Sequence, residues 1–235
     1  MTSNATPRIL IVGASRGLGL AMVAEFLSHC WAVTATVRES SPRDGLDDLS
    51  RRHPGKVGIE QLDMNDTDQL AALDTRLDGE TFDILFVNAG VSNRDPTQTI
   101  GEVSTEEFIH VMVTNALSPM RVVERLVRHV TPDGLIGVMS SGQGSITNNT
   151  AGQRELYRGT KAALNMYMRS FAAREANARH PMVVMAPGWV RTELGGEAAP
   201  LTIEDSIPRL VQVLLAKRDR PGLEYLDYQG RTVPW

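Results

Sequence analysis

A doubly wound parallel α/β sheet is the fold that this sequence predicts. Three features carry the reading. Short apolar runs rich in β-branched residues recur along the chain, amphipathic helical stretches separate them, and a glycine-rich turn joins the first run to the first helix. Runs that are apolar at successive positions suit strands covered on both faces, because alternate side chains point to opposite sides of a sheet.

The elements follow in order. The first strand is RILIVG (8–13), leading into a helix over 16–29. AVTATV (32–37) is the second strand, with a weaker helical pattern near 44–52. VGIEQL (57–62) precedes a helix over 66–77, and FDILFV (82–87) precedes a long one over 104–129. GLIGVM (134–139) is followed by a helix over 155–179, and MVVMA (182–186) by a helix over 202–217. LEYLDY (223–228) is the seventh strand. No internal repeat, low-complexity tract or Pro/Gly linker divides the chain, which predicts one domain over residues 1–235.

Composition narrows the function. A formal charge of −4 argues against a nucleic-acid surface, which is normally basic. No apolar run reaches the roughly 20 residues of a membrane span, and MTSNATPR lacks the charged and apolar regions of a secretory signal. A cytoplasmic protein is expected. Cys30 is the single cysteine, which rules out an intrachain disulfide; within LSHCWAV it reads as a small buried hydrophobe. The five histidines are scattered without ligand-pair spacing, so no metal is expected.

The segment GASRGLG (13–19) lies between the first strand and the first helix. Gly13, Gly17 and Gly19 allow a sharp turn and close backbone approach. A turn of this kind that opens a helix directs free N–H groups and the helix dipole at an anion, commonly a pyrophosphate. Ser15, Arg16 and Leu18 complete the expected cofactor contacts of this turn. The second strand leaves as TATVRES, with Arg38 where an acidic residue would select NAD(H). Arg16 and Arg38 could fork a 2′-phosphate between them, so NADP(H) is favoured over NAD(H); Glu39 leaves room for the latter.

ELYRGTKAAL (155–164) places Tyr157 and Lys161 on one turn of a helix. Such a pair is either surface packing or an acid catalyst. Bringing a tyrosine from a pKa near 10 to about 7 needs roughly 4 kcal/mol. A lysine ammonium about 4 Å away supplies that order of energy at an effective dielectric near 20.

GASRGLG, NAG (88–90), Asn115 in VTNALSP, SSGQGS (140–145), YRGTK (157–161) and PGWVRTE (187–193) occur together in this order. In this the chain resembles the short-chain dehydrogenases/reductases, from about residue 8 to about 195. Within them it is most similar to a compact carbonyl-reductase branch related to sniffer and the C-factor proteins, including the ending YLDYQGRTVPW. The resemblance implies a Rossmann-like sheet of about seven parallel strands flanked by helices, a nicotinamide cofactor and a small carbonyl or alcohol substrate. It implies adenine contacts at Asp63 and Met64, a cofactor lining by Asn88, Ala89 and Gly90, further cofactor contacts at Pro187 and Gly188, and a hold on the nicotinamide carboxamide by Val190 and Thr192. Tyr157 becomes the general acid in reduction. Lys161 lowers its pKa and binds the nicotinamide ribose, Ser141 rather than Ser140 holds the substrate oxygen, and Asn115 fixes a water on a proton route. For Asn115 a helix-bending role beside Pro119 stays open. A homodimer or homotetramer through the helices at 104–129 and 155–179 is the family expectation.

Two other functions compete: a cofactor-binding sensor without turnover, and a different reaction on the same fold, such as epimerisation of a nucleotide sugar or enoyl reduction. The segment TELGGEAAPLTIEDSI (192–207) is either a lid hinged at Gly195 and Gly196 or a flexible surface loop. Trp189 either touches the ligand or is buried at a strand end.

Overall fold

A computed structural model describes residues 6–174 and 179–235. Seven strands form one sheet in the order β3-β2-β1-β4-β5-β6-β7, and every neighbouring pair is parallel. The strands are β1 (Arg8–Val12), β2 (Ala32–Val37), β3 (Val57–Gln61), β4 (Phe82–Val87), β5 (Val130–Met139), β6 (Pro181–Ala186) and β7 (Gly222–Asp227). The helices are α1 (Gly17–Ser28), α2 (Asp44–Arg52), α3 (Thr67–Arg76), α4 (Thr105–Met112), α5 (Ser118–Leu126), α6 (Glu155–Ala172) and α7 (Ile203–Lys217).

The alternation of the strands divides the core into two. Leu10 and Val12 of β1 join Leu85 and Val87 of β4 in a cluster roofed by α3, α5 and α6. Ile9 and Ile11 face the other way, with Ile84 and Phe86, beneath α1, α2 and α7. Because both faces are dry, the strands carry few polar residues, which is why they read as continuous apolar runs.

Three expectations about element bounds need correction. The helix expected over 104–129 is broken: a π-helical turn spans Val113–Leu117 between α4 and α5, and a 3-10 turn follows at Val127–His129. Pro119 has no N–H to give the carbonyl of Asn115, its partner four residues back in an α-helix. β5 begins at Val130, four residues earlier than its apolar run, through the polar segment TPD. The helix expected over 155–179 ends at Ala172; residues 175–178 of that stretch lie outside the described residues.

Cys30 is exposed, not buried. It takes a left-handed φ of +64° just past α1, where the Cys30 and Trp31 amides donate to Leu27 O and Phe26 O. That geometry closes the helix and turns the thiol outward. Trp31 fills the inward position instead, edge-on to Phe26 at 5.3 Å.

Candidate active site

The strand order reverses between β1 and β4, and there the carboxyl ends of the strands open on a cleft of about 1000 Å3. At one end lies the glycine turn. Gly13 has φ +89°, and a Cβ there would stand 2.6 Å from the Ala89 Cβ. A Cβ on Gly19 would stand 2.2 Å from the Gly13 carbonyl. The turn is held from both sides: Gly13 N donates to Thr36 Oγ1 at 3.0 Å, and Asn88 Nδ2 donates to Gly13 O at 2.7 Å. Thr36 escaped the sequence reading; its one signal was a polar residue within an apolar run.

The start of α1 differs from those of α3, α4 and α7. Those helices are capped by Asp66, Ser104 and Thr202. α1 has no side-chain cap and no acidic residue in its first turn, so its amides and dipole are left to face an anion from the cleft. Ser15, Arg16, Gly17, Leu18 and Arg38 line this end. Arg38 is exposed, with no ion pair among the described residues. Arg16 instead reaches across to Glu193, with Nη1 2.5 Å from Oε2. An uncapped helix, a glycine cradle and two arginines fit the phosphates of a dinucleotide.

Asp63 and Met64 line the adjoining wall after β3. Asp63 is fixed by Gln69 Oε1 accepting from its amide at 2.8 Å, and its own Oδ1 accepts from Asn65 N at 2.9 Å. Asn88, Ala89 and Gly90 form the floor beyond β4. A Cβ on Gly90 would come within 3.2 Å of both Asn115 Oδ1 and Lys161 Nζ.

Tyr157 and Lys161 project from α6 into the far end, and both are buried. Lys161 Nζ donates to Met139 O at 2.9 Å and lies 5.7 Å from the Tyr157 ring centroid. Burial pulls the Lys161 pKa down to about 8. Burial likewise raises the Tyr157 pKa, against the opposing pull of the Ser141 hydroxyl and the Arg154 guanidinium. The expectation that Lys161 lowers the tyrosine pKa is therefore not met in the free protein. The ammonium is engaged with a backbone carbonyl, and desolvation outweighs the charges around the phenol.

The two serines separate cleanly. Ser140 is buried and donates to Asn165 Oδ1 at 2.6 Å. Ser141 lines the cleft, its Oγ accepting from Gln143 N at 3.1 Å. Tyr225 supports it from beneath by donating to its carbonyl, and burial pushes the Tyr225 pKa up to about 12. Neither Asn165 nor Tyr225 was singled out by sequence. Asn115 is fully buried: its Oδ1 accepts from Val91 N and its Nδ2 donates to Val91 O, both at 2.8 Å, and to Thr160 Oγ1 at 3.0 Å. Its side chain ties the backbone beside Gly90 to Thr160 of α6.

Pro187, Gly188, Val190 and Thr192 follow β6 along the cleft. Pro187 O accepts from Ser206 Oγ at 2.7 Å. The segment beyond is a compact strap, not a loose loop. Arg191 N donates to Leu201 O at 2.9 Å, and Gly195 N to Thr192 Oγ1 at 3.0 Å. Trp189 is half exposed over the cleft and donates through Nε1 to Gly195 O at 2.7 Å, so the buried alternative is excluded. A Cβ on Gly195 would fall 2.0 Å from Val190 O. That glycine is there for close approach, not for freedom.

A nucleotide-type cleft at the switch point of a parallel sheet, with a tyrosine, a lysine and a serine meeting at its far end, describes an α/β oxidoreductase. The chain matches the family described as short chain dehydrogenase over residues 7–200, and it belongs to that family. C-signal of Myxococcus xanthus is 34% identical over 155 residues, 65% of this chain and 92% of that protein. A Burkholderia multivorans chain solved with bound NADP is 63% identical with a TM-score of 0.96, over 98% of this chain and all of that one. A carbonyl reductase from Pseudomonas aeruginosa PAO1 in complex with NADP is 32% identical with a TM-score of 0.90, over the same shares. No helix among the described residues is long and apolar enough to cross a membrane.

Proposed function

We propose that this protein is an NADPH-dependent reductase of aldehydes or ketones. The observation that carries the proposal is the meeting of Ser141, Tyr157 and Lys161 at one end of a cleft whose other end is lined by Arg16 and Arg38. NADPH would be held by the glycine turn, the α1 terminus and Arg38, and when bound it supplies the hydride. Ser141 Oγ donates a hydrogen bond to the substrate oxygen and holds the carbonyl against Tyr157. As negative charge develops on that oxygen, the Tyr157 hydroxyl gives up its proton to it, and the product is an alcohol. A phenol kept above its ordinary pKa by burial remains protonated at neutral pH, as a proton donor must be. Lys161 holds the ribose and restores the proton. Both Nδ2 donors of Asn115 are engaged and its Oδ1 accepts from Val91 N, so its share in that route falls to its backbone carbonyl, which Pro119 leaves without an α-helical donor.

The test is consumption of NADPH by purified protein with a panel of aldehydes, ketones, diketones and quinones. Carbonyl-dependent consumption is expected; NADPH binding with no turnover across the panel would move the assignment to a sensor. For the cofactor, Arg38→Asp is expected to raise the KM for NADPH about 10- to 100-fold, from lost charge-assisted bonds, while sparing NADH. Equal effects on the two cofactors would remove Arg38 from the phosphate site.

The same reading includes self-association. Phe108 and Ile109 of α4 and Met166 and Tyr167 of α6 are exposed by 40–59%, on helices that pack against each other. Covering that face with a second copy would remove the apolar surface from water. Light scattering is expected to give at least twice the chain mass of 25.7 kDa; the chain mass alone would refute this.

A further inference from the structure

The turn before α6 is built unusually. Gly152, Gln153 and Arg154 have φ of +62°, +58° and +52°, three successive residues in the left-handed region that only glycine enters freely. Arg158 fastens the run, its Nε donating to Gln153 O at 2.8 Å and its amide to Arg154 O at 2.9 Å. The result sets the Arg154 guanidinium over the Tyr157 ring, 5.4 Å from its centroid, in the wall of the cleft.

That guanidinium is unpaired. Arg154 has no ion pair among the described residues, and its Nε is buried without a hydrogen-bond partner. The acids that could neutralise it are engaged. Glu155 Oε2 accepts from Ile100 N at 2.8 Å. Of the carboxylates lining the cleft, Glu193 is paired with Arg16, Asp227 with Arg231, and Asp63 with a backbone amide. A second orphan lies in the same wall: Gln143 Oε1 is buried without a donor, two residues after Ser141. Buried polar atoms in a native fold are normally satisfied. Both residues line the cleft beside Ser141 and Tyr157, so the uncompensated Arg154 charge faces whatever ligand is seated there.

We infer that the carbonyl substrate carries a carboxylate, which Arg154 grips through its guanidinium while the carbonyl lies against Ser141 and Tyr157. The planar fork of a guanidinium matches the two oxygens of a carboxylate, and stacking on Tyr157 fixes its plane. This makes Arg154 a specificity residue, and it rests on the carbonyl-reductase reading.

The test compares 4-carboxybenzaldehyde with its methyl ester, using NADPH. Both aldehydes would be reduced through the same tyrosine, so any effect of Arg154 on Tyr157 ionisation cancels in the ratio of their kcat/KM values. The native protein is expected to prefer the acid about 10- to 100-fold. The preference should collapse to near unity in Arg154→Gln and survive in part in Arg154→Lys. Equal use of acid and ester by the native protein, or a preference that persists in Arg154→Gln, overturns the inference. If neither aldehyde is reduced, the reductase reading fails by itself, and calorimetry with benzoate and benzamide decides the anion site. Benzoate bound at least tenfold more tightly than benzamide, with the difference lost in Arg154→Gln, supports it; equal binding overturns it.

Discussion

Tyr157→Phe is expected to lower kcat/KM for carbonyl reduction by about 10²- to 10⁴-fold, the contribution typical of a positioned general acid. The substitution removes one oxygen from a buried ring, so the fold and the cofactor affinity should be little changed. The loss belongs in kcat, because proton donation matters only as charge appears on the substrate oxygen. The direction of the pKa shift adds a second readout. Burial holds the free phenol above its usual range, so reduction should be sustained through neutral pH, and oxidation of the alcohol, which needs the phenolate, should rise with pH. Stopped-flow hydride transfer on the native protein and on Tyr157→Phe checks each point; a Tyr157→Phe protein with undiminished turnover would remove this residue from the chemistry.

Lys161→Met is expected to abolish most activity and yet stabilise the protein at neutral pH. The lysine is 3% exposed, and its pKa falls from an ordinary 10.5 to about 8 because burial disfavours the charge. With the folded pKa below the unfolded one, the unfolded chain binds more protons between about pH 8 and pH 10.4. Stability from this group therefore rises with pH across that window, and below it the full cost of about 3 kcal/mol is present. Methionine removes that cost but leaves Met139 O without its donor, which returns about 1–2 kcal/mol. The net gain of about 1–2 kcal/mol corresponds to a Tm higher by about 2–8 °C at pH 7, shrinking toward pH 10. Calorimetric melts across that range test it; a variant that melts lower at pH 7 would mean that burying the ammonium costs little. The tension between stability and function is of the kind that active sites impose.

Much of the architecture was legible because its determinants are local. Strands dry on both faces must be apolar throughout, and α2, α3 and α7 carry their boundaries in capping and charge. Positions that depend on what packs from elsewhere were not legible. Cys30 looked buried because its neighbours are apolar, but a left-handed turn gives its place to Trp31. The α4–α5 interruption was foreshadowed by Pro119, yet periodicity ran straight through it. In the cleft, the glycine turn and the pairing of Tyr157 with Lys161 were readable from spacing. The carbonyl that receives the lysine and the threonine behind the turn come from distant strands, and no local pattern announces them. Arg154 was least accessible of all, since a left-handed arginine is disfavoured by local rules, and the Arg158 bond to the preceding Gln153 carbonyl that fastens the turn follows no periodic pattern.

The clamping of Gly13 by Thr36 and Asn88 has a thermodynamic consequence. A turn of this composition would, unrestrained, sample many shapes, and a ligand would have to select one of them at a cost in affinity. Here the selection is made during folding, by a hydroxyl on β2 and an amide past β4. The entropy of ordering the turn is charged to the stability of the whole sheet, and the encounter with an anion begins from a shape already set.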